Sequence, residues 1–113
     1  MVKIEVFRQI SLSFPEATEE PHFEKTSFRV RKKIFATLSI TDRVAVLKLS
    51  VIDQSVFCSF DRTIISPANG AWGKQGWTMI NLKRIRKNML ADALSTAYWE
   101  VAPKKLKDSY QKR

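Results

Sequence analysis

The chain has 113 residues, of which 44% are hydrophobic and 27% are charged, and its net charge is +9. This length predicts one domain over residues 1–113 with its own core, and the balance of hydrophobic and charged residues excludes a disordered chain. The apolar runs are too short to span a bilayer. A lone cysteine, Cys58, and a charged N-terminal segment without a secretory signal predict a cytoplasmic protein without an internal disulfide.

The first predicted element is a helix over residues 2–13, in which Phe7 and Ile10 share one face. Pro15 ends this helix, because the residue before a proline avoids helical backbone. The acidic segment from there to Pro21 is expected to be an irregular polar connection.

Three strands follow in the prediction, because apolar and polar residues alternate with a period of two. In the second strand, Ile34, Ala36 and Leu38 are expected on one face and Phe35 on the other. The connections are short, which makes neighbouring strands antiparallel. These strands cover residues 27–31, 34–40 and 44–49.

A short helix and another strand are predicted next. Residues 51–60 place Ile52, Val56 and Phe60 on one side of the helix. After a brief extended piece before Pro67, residues 77–82 alternate as a strand.

The clearest helix covers residues 85–101, whose wide apolar stripe suits a helix lying on a sheet. After Pro103, residues 104–113 either form a second short helix or fray. The order of elements predicts an α+β fold, with a central, mostly antiparallel sheet and helices from both ends of the chain packed on it.

All three glycines lie in the segment NGAWGKQGW, between Asn69 and Trp77. A phosphate-binding P-loop requires glycine five residues before its Gly-Lys pair and Ser or Thr after it, but here those positions hold Ala68 and Gln75. The glycine spacing of a dinucleotide site is absent too. We interpret the glycines as shaping a tight approach to the following strand.

Catalytic and metal-binding chemistry is not predicted. His22 is interpreted as a loop histidine bonded to the backbone, and Cys58 as buried filler, because no basic residue closely flanks it. No group of three or four clustered metal ligands is apparent. We therefore expect no enzyme activity, no cofactor and no metal.

The positive charge is concentrated in two segments. Residues 22–49 carry seven basic and two acidic groups, and residues 83–113 carry nine and three. Such a distribution favours binding of a polyanion, nucleic acid above all, although a solvated basic surface is the alternative. The candidate contacts are Arg29, Arg31, Lys32, Lys33, Lys48, Trp72, Lys74, Lys104 and Lys105.

Three blocks of the sequence resemble the MmcQ/YjbR family: PHFEKTSFRVRKKIFATL, WGKQGWTMINL and AYWEVAPKKL. The resemblance implies a small α+β domain of double-wing type, described as DNA-binding, in which winged hairpins contact the DNA. Within these blocks the matching positions are Pro21, His22, Phe23, Phe28, Arg29, Val30, Lys33, Phe35, Ala36, Trp72, Lys74, Trp77, Ala102, Pro103, Lys104 and Lys105.

This sequence departs from the family pattern at four positions. Glu24 and Thr26 stand where the family often has glycine and proline, and Arg31 and Lys32 stand in a hairpin that usually carries glycine. A two-residue turn favours positive φ, so this hairpin is expected to be either wider or strained. In either case it gains charge where a wing tip would meet phosphate.

Two hypotheses follow. In the first, a monomeric protein binds DNA nonspecifically through its basic hairpin and strand surfaces. In the alternative, it is an adaptor that binds an acidic protein partner and not nucleic acid, with an exposed apolar patch around Trp72. Neither hypothesis involves a membrane.

Overall fold

The computed structural model describes residues 1–109, and this part of the chain forms one six-stranded antiparallel sheet and five helices. The predicted α+β fold is confirmed, while residues 110–113 of the predicted C-terminal segment lie outside the described residues. No helix in the described part is long and apolar enough to cross a membrane. The elements are α1 (Ile4–Leu12), β1 (Ala17–His22), β2 (Lys25–Val30), β3 (Lys33–Ser39), β4 (Val44–Lys48), α2 (Val51–Cys58), β5 (Ile65–Pro67), α3 (Gly70–Lys74), β6 (Trp77–Asn81), α4 (Lys87–Val101) and α5 (Lys104–Ser109).

The strands are ordered β1-β2-β3-β4-β6-β5, and every neighbouring pair is antiparallel. The β2–β3 turn therefore lies at one end of the sheet, here called the hairpin end. The end of β4 and the start of β6 lie there too, since Lys48 pairs with Trp77. The β1–β2 turn lies at the opposite end, here called the far end.

Helices α1 and α4 cover one face of the sheet, here called the closed face. The apolar stripe predicted for the C-terminal helix is confirmed, because Leu90, Leu94 and Tyr98 are fully buried. The ring of Tyr98 stacks on Phe14 at 4.9 Å, and its hydroxyl donates to the Pro15 carbonyl at 2.8 Å. These contacts attach the end of α4 to the chain that follows α1.

A β-bulge changes the expected alternation in β3. Phe28 pairs with Ala36, but Arg29 pairs with Ile34, so Phe35 is an extra residue in the register. Phe35 consequently joins Ala36 in the core, and Ile34 turns to the other face. The expectation that Ile34 and Ala36 share a face is therefore wrong at this one position.

The acidic segment expected to be irregular is strand β1, which forms one edge of the sheet. An edge strand tolerates Pro21, because one side of its backbone has no strand to pair with. Glu19 accepts from Arg8 at 2.9 Å and from Thr26 at 2.9 Å, which satisfies its carboxylate above the closed face. The proline and the acidic residues of this segment did not predict a strand, but pairing with the neighbouring strand stabilises one.

Helix α2 forms over the predicted residues, but its expected apolar side faces solvent. Ile52 is 77% exposed, and Val56 and Phe60 are exposed as well. Gln54 and Cys58 are buried in their place. The helical spacing of apolar residues predicted the helix correctly, but it did not predict which side of the helix packs on the rest of the protein.

Candidate nucleic-acid interface

The β2–β3 hairpin turns in two residues, Arg31 and Lys32, since Val30 pairs directly with Lys33. Both turn residues have positive φ, 51° and 70°, the pattern of a type I′ turn. Of the two expected alternatives, the structure has the tight, strained turn. Arg31 therefore lies in the turn and not on the strand face beside Arg29, and Lys33 begins β3.

Arg31 forms a two-bond ion pair with Glu16. Its Nε donates to Oε1 at 2.6 Å and its Nη2 donates to Oε2 at 3.1 Å. The hydrogen-bonded guanidinium lowers the pKa of Glu16, and the Lys105 charge lowers it further. The same pair raises the pKa of Arg31. Lys105 in α5 thus lies near the β2–β3 turn.

The two lysines that follow Arg31 are exposed. Among residues 1–109, neither Lys32 nor Lys33 has an acidic partner within ion-pair distance. Their ammonium groups are therefore available to an external anion, whereas the charge of Arg31 is shared with Glu16.

Lys48 and Arg29 are both tied to neighbouring groups. The Lys48 ammonium donates to the carbonyls of Gln75, at 2.6 Å, and Leu49, at 3.3 Å, which fastens the end of β4 to the chain before β6. Arg29 is half-buried and its Nε donates to Ser27 Oγ at 2.9 Å. Both positions are cationic, and Lys48 also has a structural role.

Lys74, Lys104 and Lys105 are exposed. Lys74 ends α3 just before Trp77, so it lies at the hairpin end, where β6 is separated from β3 by two strand spacings, about 10 Å. Most of the predicted cations therefore share this end of the sheet. They are Arg31, Lys32, Lys33, Lys48, Lys74 and Lys105.

The glycine-rich segment contains a five-residue helix, α3, before the strand that it was expected to approach tightly. A Cβ at Gly73 would lie 2.0 Å from the Ala68 carbonyl oxygen, and one at Gly76 would lie 1.8 Å from that of Leu49. Gly76 also has φ 101°. These two glycines let α3 and the start of β6 press directly against neighbouring backbone.

A buried glutamine holds the same segment. Gln54 Nε2 lies 3.0 Å from the carbonyl oxygens of both Gly73 and Trp77, and 3.2 Å from Thr78 Oγ1. The site prediction did not include Gln54. In the sequence, Gln54 is one amide among apolar residues of a predicted helix. That pattern does not show which side of the helix is buried.

The two tryptophans of this segment differ in exposure. Trp72 is 64% exposed, and Trp77 is half-buried. Their rings meet edge to face at 6.3 Å. Trp77 pairs with Lys48 on the face of the sheet that α1 and α4 leave uncovered, here called the open face, so its half-buried ring lies outside the core.

A groove of about 650 Å³ lies on the open face. Its floor is apolar, and α3 forms one wall while the β1–β2 hairpin forms the opposite wall. No stretch of the sequence predicted it, because its residues come from six separate helices or strands and from two connecting segments. They are His22, Lys25, Ile34, Thr37, Ser39, Asp42, Val44, Val46, Ala68, Asn69, Trp72, Trp77 and Met79.

The β1–β2 turn at the far end exposes an aromatic ring. Phe23 has φ 58° and is 97% exposed. The His22 ring lies edge-on to it at 5.0 Å. His22 was expected in a loop, but it ends β1 and lines the groove.

A second basic cluster precedes α4, here called the β6–α4 cluster. Arg84 donates to Thr63 Oγ1 at 2.8 Å, and hydrogen bonds from Thr63 and the Arg84 charge lower the pKa of Asp61. Its basic residues are close together in the sequence, but they were not among the predicted nucleic-acid contacts. Its members, all exposed, are Lys83, Arg84, Arg86 and Lys87.

Two features of the described residues concern metal and thiol chemistry. Within residues 1–109, no three His, Cys, Asp or Glu side chains are grouped closely enough to hold a metal ion. Cys58 is buried, as interpreted from the sequence, and burial raises the pKa of its thiol. A group that is hard to ionise is a poor nucleophile.

Comparison with known proteins gives a family and a fold. The family model described as YjbR matches residues 12–100. The fold is similar to the crystal structure of Deinococcus radiodurans protein DR2400, described with the domain DUF419, at a TM-score of 0.81. That likeness covers 96% of this chain and 88% of the other at 19% sequence identity. No curated protein matches the chain.

Proposed function

The chain belongs to the YjbR family, and from this premise we propose that it binds DNA through phosphate contacts at the hairpin end of its sheet. The observation that carries the proposal is the β2–β3 turn. Arg31 and Lys32 both occupy left-handed backbone, which costs an L-residue other than glycine about 1–2 kcal/mol. Strain of this kind is concentrated at functional sites.

A structural role does not account for these two residues. The preferred type I′ sequence is Asn-Gly, which would form the same turn with less strain. Arg31 gains an exposed two-bond ion pair in return, and an exposed pair contributes at most about 1 kcal/mol. Lys32 gains none within the described residues. A cationic tip that reaches toward a polyanion is a physical reason for their presence.

The surrounding charges support contact with a backbone. Lys33, Lys74 and Lys105 lie at the same end, so several phosphates could be contacted together. We assign no base-specific contact to this end, because its candidates are flexible cations that suit phosphate oxygens. The proposed activity is therefore nonspecific and sensitive to salt.

The proposal assigns the protein to no enzyme class. The binding unit is a monomer, its location is the cytoplasm, and it needs neither a cofactor nor a membrane. One basic surface on a small domain is sufficient for this activity.

A three-residue variant tests the site. R31N/K32G/K33Q removes the three charges, and its Asn-Gly pair is the preferred sequence for the existing turn. Affinity for a labelled DNA duplex is measured by fluorescence anisotropy over a salt series. The control, K83Q/R86Q/K87Q, removes three charges from the β6–α4 cluster.

We expect the hairpin variant to bind more weakly, with a log–log salt slope shallower by about 0.9 for each lost phosphate contact. The control should keep most of its affinity. Equal losses in both variants would mean that net charge and not the hairpin drives binding. Absence of duplex binding by the native protein at low salt would refute the proposal.

One observation favours the alternative of a protein-interaction module. Helix α2 exposes Val51, Ile52 and Val56 together, an apolar surface that costs free energy in water. Under this alternative, I52D/V56D would abolish capture of a partner that persists after nuclease treatment. The same variant would leave duplex binding unchanged.

A further inference from the structure

We propose that the open-face groove binds an unpaired nucleobase of a single-stranded nucleic acid, stacked on Trp72. The inference extends the proposed function to a second site. It rests on the proposed function only in assuming that the protein's cations bind the phosphates of nucleic acid. Nucleic acid would thus meet two surfaces, cations at the hairpin end and a base-binding groove on the open face.

The floor of the groove suits the flat face of a base. Val44, Val46 and Met79 come from adjacent strands and are half-buried, so their side chains form an apolar surface that water still reaches. Its volume of about 650 Å³ lies within the range of small-ligand sites. An aromatic base covering this floor would remove apolar surface from water.

Trp72 is an exposed ring on a rigid support. The close packing at Gly73 and Gly76 and the hydrogen bonds of Gln54 fix the backbone on both sides of it. A largely exposed tryptophan contributes little to the core, yet the surrounding chain is constrained to hold it at the wall of the groove. Stacking needs such preorganisation, because a mobile ring would lose conformational entropy on binding.

The β2 margin of the groove is complementary to a phosphate. Lys25 lines the groove there, and Arg29 lies beside it, since Arg29 pairs with the groove residue Ile34. Asp42 is the one acidic residue in the lining. An apolar floor beside a cationic margin matches a base and its phosphate better than it matches an acidic peptide.

Polar groups in the lining can bond to the edge of a base. Asn69 offers an amide beside Trp72, and Thr37 offers a hydroxyl from β3. In a duplex the bases are stacked and paired, so their faces cannot enter the groove. This chemistry selects single strands, and stacking alone tolerates any base.

The test compares two single strands that carry the same number of phosphates. One is oligothymidylate, and the other is an abasic strand of equal length, each measured by anisotropy at low salt. We expect oligothymidylate to bind the native protein about 5- to 150-fold more tightly, the effect of one stacked base. W72A should remove this difference, and W72F should restore part of it. Thermal unfolding of both variants checks that the fold persists.

Each outcome separates the two proposals. Equal binding of the two strands by the native protein, or an unchanged preference in W72A, overturns the groove and leaves duplex binding standing. Preference for oligothymidylate without duplex binding supports the groove and refutes the hairpin proposal. Because the hairpin variant R31N/K32G/K33Q keeps Trp72, it should bind both strands more weakly and keep the preference.

Discussion

The two faces of the sheet differ in what covers them. On the closed face, Phe28, Leu47 and Ile80 are fully buried beneath α1 and α4. On the open face, Val46 and Met79 are only half-buried, with no helix packed over them among the described residues. Residues of similar hydrophobicity are therefore buried to different degrees, fully on the closed face and only partly on the open face.

The difference has a simple physical cause. Side chains alternate across a strand, so each strand must supply residues to both faces, whereas α1 and α4 both lie on one face. Apolar residues on the other face gain less from folding. The base proposed for the groove would cover them.

The largest expected effect comes from neighbouring residues of β4. L47A removes a fully buried side chain and should destabilise the protein by about 2–5 kcal/mol. V46A, one residue earlier on the open face, should cost less than half as much, since Val46 already contacts water. Urea unfolding measures both. Equal costs would show that the open face is also part of the core.

A second pair of variants tests how α3 is held. G76A places a methyl group 1.8 Å from the Leu49 carbonyl oxygen in left-handed backbone, so we expect a loss above about 2 kcal/mol. Gly70 has φ 65° but no atom within 4 Å of its Cβ position. G70A should therefore cost only about 1–2 kcal/mol, from backbone strain alone. A larger loss in G70A than in G76A would contradict the packing described for this segment.

A third variant raises the net positive charge at the hairpin end. E16Q removes the acidic partner of Arg31, so the guanidinium becomes free to meet phosphate. Duplex affinity at low salt should rise a few-fold, with a salt slope steeper by about 0.9. D92N removes a negative charge from the exposed side of α4 and should raise affinity less. Equal gains would assign the effect to net charge.

The smallest expected effect is a pH dependence of stability. Arg31 lowers the pKa of Glu16 in the folded protein, so the pair stabilises the native state above the ordinary pKa of 4.5. This contribution should disappear as the pH falls through the lowered folded pKa. Urea unfolding of the native protein and E16Q should therefore differ at about pH 7 and converge once the pH lies below the lowered pKa of Glu16. A constant difference would contradict the assignment.

Local patterns predicted most elements and failed at particular residues. Alternation placed three of the strands, and helical spacing placed the α4 stripe on the closed face. The bulge at Phe35 was not predicted. An extra residue does not disturb the alternation of residue types in the sequence, but it changes the face of the sheet on which a side chain lies. Strand β1 was not predicted either, because its pairing with β2 overrides a poor local preference.

The candidate sites divide in the same way. The basic residues of the hairpin could be named from the sequence, because charge and turn spacing are local properties. The groove could not be predicted, since it is assembled from β3, β4, β6, α3 and the β1–β2 hairpin. The position of Trp72 depends on Gln54, on the close approach of Gly73 to Ala68, and on the contact of Gly76 with the distant backbone of Leu49.

The sequence by itself determined the α+β class, the basic character of the hairpin and the failure of the glycine segment to match a nucleotide-binding motif. The tertiary structure alone decided that this segment presents Trp72 at the wall of a groove. It also brought Lys74 to the same end of the sheet as Arg31 and Lys32. The reason is physical: periodicity and charge are carried by neighbouring residues, whereas exposure and juxtaposition depend on which distant elements pack together.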